Sequence, residues 1–173
     1  LGRYYEIQGD KAKAFTYYLR SADLEESWAC NKVGQFYECG EVITKDIAKA
    51  YEYYEKATLA NHRTICYYAY YNLARLLMVG DVTAGIKRDL VAALKNYEIA
   101  SNQGIFEATR ALFLYYAHKY QQDNEHDYLD KVYKYKGELE KNEKFNEEMA
   151  REVEEKLKKI RNQKEIDISF LLG

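Results

Sequence analysis

Three decapeptides in this chain are versions of one another: KAFTYYLRSA at 13–22, KAYEYYEKAT at 49–58 and AALKNYEIAS at 92–101. In each, an alanine (Ala14, Ala50, Ala93) stands four residues before a tyrosine (Tyr18, Tyr54, Tyr97), and Ser21, Ala57 or Ala100 follows three later. Residues three and four apart share a helical face, so every copy sets small groups beside one large ring. Small residues let two helices approach to about 8 Å while the ring fills the neighbouring groove.

A second block recurs out of phase with the first: LGRYYE at 1–6, VGQFYE at 33–38, LARLLM at 73–78 and LFLYYA at 112–117. Val33 to Leu73 is 40 positions, Leu73 to Leu112 is 39, and Ala14 to Ala50 is 36. A period of this size marks stacked helical hairpins, in which each unit buries its apolar face only against its neighbours. The links between the two blocks, IQGD, CGEVITKD and VGDVTAGIKRD, end in Asp10, Asp46 and Asp89. A carboxylate there can accept from the free N–H groups of the next helix, while Gly9, Gly40 and Gly80 sit where the preceding helix must stop. The pattern predicts helices near 10–22, 28–39, 46–60, 64–79, 89–103 and 106–120.

These residues resemble the Sel-one-like repeat (SLR), a relative of the tetratricopeptide repeat. The fullest copy is Ala29, Val33, Gly34, Phe36, Tyr37, Gly40, Val42, Asp46, Lys49, Ala50, Tyr53, Tyr54, Lys56 and Ala57. A second runs from Ala69 through Leu73, Ala74, Leu77, Gly80, Asp89, Ala93, Tyr97 and Ala100 to Gly104; a truncated copy precedes both, and Ala108, Leu112, Tyr115 and Tyr116 open a fourth. The resemblance implies an all-α, right-handed α-α superhelix, a solenoid of helical hairpins followed by a long C-terminal helix. It also implies an adaptor that holds a protein or peptide, as part of a larger signalling or regulatory chain. The alternative is the sensor region of an enzyme whose catalytic domain lies outside these residues.

Composition agrees with a helical reading. The chain has no proline, nine glycines, 47% hydrophobic and 31% charged residues, and a helix interior tolerates proline worst. A formal charge of −2 supplies no basic field for nucleic acid or an anionic membrane, so neither is expected as a partner. No apolar run approaches the roughly 20 residues of a membrane span. Cys30, Cys39 and Cys66 show no paired spacing, which suits reduced thiols in a cytoplasmic setting. Because LGRYYE aligns with the inside of a repeat and carries no initiator methionine, the chain reads as a fragment, from which a leader could have been removed.

No catalytic, cofactor or metal site is expected. His62 and Cys66 are four apart, but the pair lacks an orienting third group and oxyanion donors, so a loop histidine beside a buried thiol explains it better. The cysteines and histidines form no C-x-x-C or H-E-x-x-H element. VGDVTAGIK lacks phosphate-loop spacing and follows a helix rather than a strand. The tyrosine doublets, with no basic stripe beside them, read as packing rather than base-stacking platforms.

The periodicity divides the chain into repeats over 1–122, capping or coiled-coil-like helices over 123–165 and an apolar tail over 166–173. Within the second part Tyr128, Leu129, Val132, Phe145, Met149, Val153 and Leu157 could cover the open end of the stack. The same stripe could instead pair two copies as a homodimer seam. Pairs such as Glu147 with Arg151 and Glu152 with Lys156 have the i to i+4 order that supports an isolated helix. For partner binding, the face of the first helices that points into the groove holds Arg3 and Glu6 from the truncated copy. Trp28, Asn31, Gln35 and Glu38 follow from the next, then Tyr68, Tyr71, Arg75 and Met78, and Glu107, Arg110, Leu114 and His118 from the fourth. Aromatic anchors with arginines are the composition that supplies binding hot spots.

Overall fold

The computed structural model describes residues 1–59 and 65–172, with side chains through residue 162. Nine helices occur among the described residues: α1 (Gly2–Ile7), α2 (Lys11–Ala22), α3 (Ser27–Cys39), α4 (Ile47–Leu59), α5 (Tyr67–Val79), α6 (Leu90–Asn102), α7 (Phe106–Asp123), α8 (His126–Glu140) and α9 (Glu147–Leu172). Contacts divide the chain into two units, Leu1–Gln103 and Gly104–Gly173.

The first unit is an α-α solenoid of three hairpins, α1/α2, α3/α4 and α5/α6, in which α2 packs on α3 and α4 on α5. Each second helix starts where an aspartate accepts from a free N–H. Asp10 takes Lys13 N–H at 3.0 Å, and Asp46 and Asp89 take those of Lys49 and Ala92 at 2.9 Å. Gly40 ends α3 in the left-handed region with φ 72°, and a β-carbon there would lie 2.7 Å from Lys45 Cβ. Gly80 is equally required, since a β-carbon would meet Arg88 N at 2.8 Å at a φ of 73°.

Alanine makes the close approaches. Ala14, Ala50, Ala69, Ala93 and Ala100 are fully buried, and Ala29 and Ala57 nearly so. Ser27 at the start of α3 fastens three segments: its hydroxyl donates to Ala57 O at 2.8 Å and accepts from Cys66 N–H at 2.9 Å. Cys30, Cys39 and Cys66 are free thiols; burial pushes the Cys30 and Cys66 thiols above their ordinary pKa.

In the second unit α7 packs against both α8 and α9. Leu129, Val132, Tyr135 and Leu139 of α8 and Val153, Leu157 and Ile160 of α9 are buried, while Tyr128, Phe145 and Met149 are half-buried. The apolar stripe of α9 is thus covered within the chain from Val153 to Ile160. Glu152 does not reach along its own helix to Lys156; both its oxygens accept from Arg110 of α7, at 2.8–3.0 Å. The backbone of α9 stays helical through 166–172, but the side chains of that tail lie outside the described residues, as does His62. No helix among the described residues is long and apolar enough to cross a membrane.

Candidate interaction surface

The first helices of the hairpins, α1, α3 and α5, form a row tied by side chains, and the tie is made the same way twice. Glu6 of α1 accepts from Tyr18 of its own hairpin at 2.7 Å on Oε2 and from Lys32 of the next first helix at 2.7 Å on Oε1. Glu38 of α3 repeats this: Oε2 accepts from Tyr54 at 2.7 Å and Oε1 from the Arg75 guanidinium of α5. Each carboxylate therefore clasps one hairpin to the next.

Glycine makes the clasp feasible. The tyrosine ring must lie flat on the first helix for its hydroxyl to reach the glutamate. A β-carbon on Gly2 would come within 2.8 Å of the Tyr18 ring, and one on Gly34 within 2.6 Å of Tyr54. In the third hairpin the set changes: Ala74 stands at the glycine position, Met78 at the carboxylate position, and the Tyr97 ring lies 5.9 Å from Tyr71.

Electrostatics follows from these contacts. Burial raises the Glu6 carboxyl, but hydrogen bonds from Lys32 and Tyr18 and the Lys32 charge outweigh it and leave the group below the usual carboxylate range. Burial and then the carboxylate hydrogen bond push the Tyr18 and Tyr54 phenols well above 10.0. Tyr97 is pushed up to about 12, by burial first and by Tyr71 second. For Arg75, burial disfavours the charge, yet the bond to Glu38 more than restores it.

Of the residues expected at a groove in the first unit, Arg3, Glu6, Trp28 and Gln35 line two neighbouring hollows. Trp28 is 46% exposed, its ring 6.5 Å from Tyr68. Arg3, Glu6, Tyr18, Trp28 and Lys32 line a hollow of about 510 Å³. Glu6 and Lys32, with Gln35, Phe36, Cys39 and Glu41 beside them, line a second of about 170 Å³. Asn31 is buried, its Oδ1 accepting from Asn72 Nδ2 at 2.9 Å, so it joins α3 to α5 rather than facing solvent. Met78 is half-buried against the core formed by Ala50, Tyr54, Leu73, Leu77 and Ala93.

The four residues expected from the fourth repeat belong to the other unit. There Glu107 accepts from Lys144 at 2.8 Å and Arg110 is held by Glu152, while Leu114 is half-buried and His118 exposed. Lys32 and Tyr18 were absent from the expected set. Tyr18 had a signal, its match with Tyr54 beside the match of Glu6 with Glu38, whereas Lys32 had none, because Asn72 stands at its position in the next repeat. Among the described residues no cluster of histidine, cysteine and carboxylate side chains is arranged to hold a metal ion.

A stack of hairpins built on buried alanines and ring-to-glycine contacts defines a helical repeat protein. The Sel1 repeat family profile matches residues 1–25, 29–62 and 68–105, more than half of the chain, and the chain belongs to that family. No curated protein matches it. Among solved structures it is similar to a Sel1 repeat protein from Oxalobacter formigenes, at 26% identity and a TM-score of 0.56, over 66% of this chain and 46% of that one. It is also similar to c5321, a protective antigen present in uropathogenic Escherichia coli strains that displays an SLR fold. There identity is 25% and the TM-score 0.57, over 67% of this chain and 24% of that one. The chain thus spans less than half the length of either. Sel1 repeats are typically protein-interaction scaffolds.

Proposed function

We propose that this chain is a protein-binding scaffold module that holds an extended peptide segment along the row α1–α3–α5. The observation that carries this reading is the juxtaposition of an exposed Trp28, backed by Tyr68, with a row of first helices fixed by two carboxylate clasps. Rigid backing matters because a preorganised surface loses less entropy on binding, and tryptophan is among the residues enriched at binding hot spots.

A displayed random-peptide library selected on the chain tests it. Trp28→Ala should weaken selected peptides by about 2 kcal/mol, whereas Glu155→Ala on the solvent side of α9 should leave affinity unchanged. Arg75 is a poorer probe than its position suggests. Replacing it with glutamate would set two carboxylates against each other at Glu38, so any binding loss would be mixed with loss of the clasp. Selected peptides that bind Trp28→Ala normally but lose affinity on α9 substitution would move the interface to the second unit.

A further inference from the structure

The hollow beside Trp28 carries information about the chemistry of what fills it. Of its five lining residues, Glu6 is already occupied on both oxygens, by Tyr18 and Lys32. The Glu6 and Lys32 charges therefore cancel locally, and Lys32 also lies over the Tyr18 ring at 6.0 Å. Arg3 is different: it is exposed and enters no ion pair among the described residues. One guanidinium is left unbalanced at the mouth of a hollow walled by an indole, a phenol ring and a lysine stem. The groups there with hydrogens still to give are Arg3, the remaining ammonium protons of Lys32 and the Trp28 indole N–H.

On the peptide-binding reading above, we infer that this hollow selects a large apolar side chain adjacent to an acidic one, within the interior of the bound segment. The apolar side chain packs on Trp28 and Tyr18, and the carboxylate pairs with Arg3. An interior segment fits better than a chain terminus. The hollow shares Glu6 and Lys32 with the smaller groove that Gln35, Phe36 and Cys39 also line, so a bound chain has a neighbouring groove to run into. Gln35 is half-buried in that groove, and its carboxamide offers a donor and an acceptor to a passing peptide backbone.

The test is an array of acetylated, amidated nonapeptides carrying Leu, Ile, Phe or Trp followed by Asp, Asn, Glu, Gln or Lys, in several flanking frames, probed with the purified chain. Peptides with an acid should bind up to about fivefold better than their amide isosteres, the upper range of an exposed ion pair. That margin should shrink as salt rises. Arg3→Gln should erase the preference and Arg3→Glu should invert it towards lysine; Arg3 is exposed, and unchanged helical dichroism will verify the fold. If acid and amide peptides bind alike, or the acid preference survives Arg3→Glu, while Trp28→Ala still weakens binding, the ligand chemistry is wrong and the binding row stands. If no peptide binds, or bound peptides ignore both Arg3 and Trp28, the binding row falls with it.

Discussion

At the scale of the residue, the most constrained position is Gly34. A methyl group there would be driven into the Tyr54 ring at 2.6 Å and towards Ala50 O at 3.2 Å, and neither the buried ring nor the backbone can yield cheaply. Gly34→Ala should therefore cost ~1–3 kcal/mol, seen as a lower thermal midpoint. A variant of wild-type stability would mean the ring is free to lift away and the clasp is loose. The tyrosines make a second prediction. Their raised pKa values mean the folded state keeps protons that the unfolded state gives up near 10.0. Stability is complete below that pH and falls as pH rises from 10.0 towards 12, through the folded value of Tyr97. Alkaline unfolding with a step of phenolate absorbance coincident with loss of helix checks this, whereas phenolates formed one by one before unfolding would contradict it.

At the scale of the element, α9 is held by what it buries on α7, not by its many charges. Leu157 is fully buried, so Leu157→Ala should cost ~2–5 kcal/mol in the second unit. Removing the exposed Arg161–Glu154 pair should cost well under ~1 kcal/mol. Urea titrations of the two variants rank the effects, and equal losses would refute the assignment. The helix limits were legible in advance to within a few residues, because Asp10, Asp46 and Asp89 and the glycine stops are local signals read from neighbouring positions. The clasps were not. The cation on Glu6 comes from Lys32, whose counterpart in the next hairpin is Asn72, and the cation on Glu38 comes from Arg75, whose counterpart is Gln35. The two partners sit one turn apart in repeat register, so aligning the repeats with one another hides their common role. The Arg110–Glu152 pair was illegible for a related reason: local i to i+4 order pointed to Lys156, and only tertiary packing sets α7 beside α9.

At the scale of the molecule, the repeat period foretold a stack of hairpins, and the candidate surface follows from how the stack is tied together. The chain has one tryptophan and 19 tyrosines, and that tryptophan is Trp28, about half exposed at the edge of the hollow with Tyr68 alongside. Light absorbed by the many phenols can pass to this single indole, which makes the protein its own optical probe. A ligand that seats in the hollow strips water from the indole and should shift its emission to shorter wavelength. Unfolding should move the emission the other way and break the transfer from tyrosine. One unlabelled fluorescence titration can therefore separate occupancy from loss of structure, and an emission that stays fixed while a peptide saturates the chain would mean that the peptide sits elsewhere.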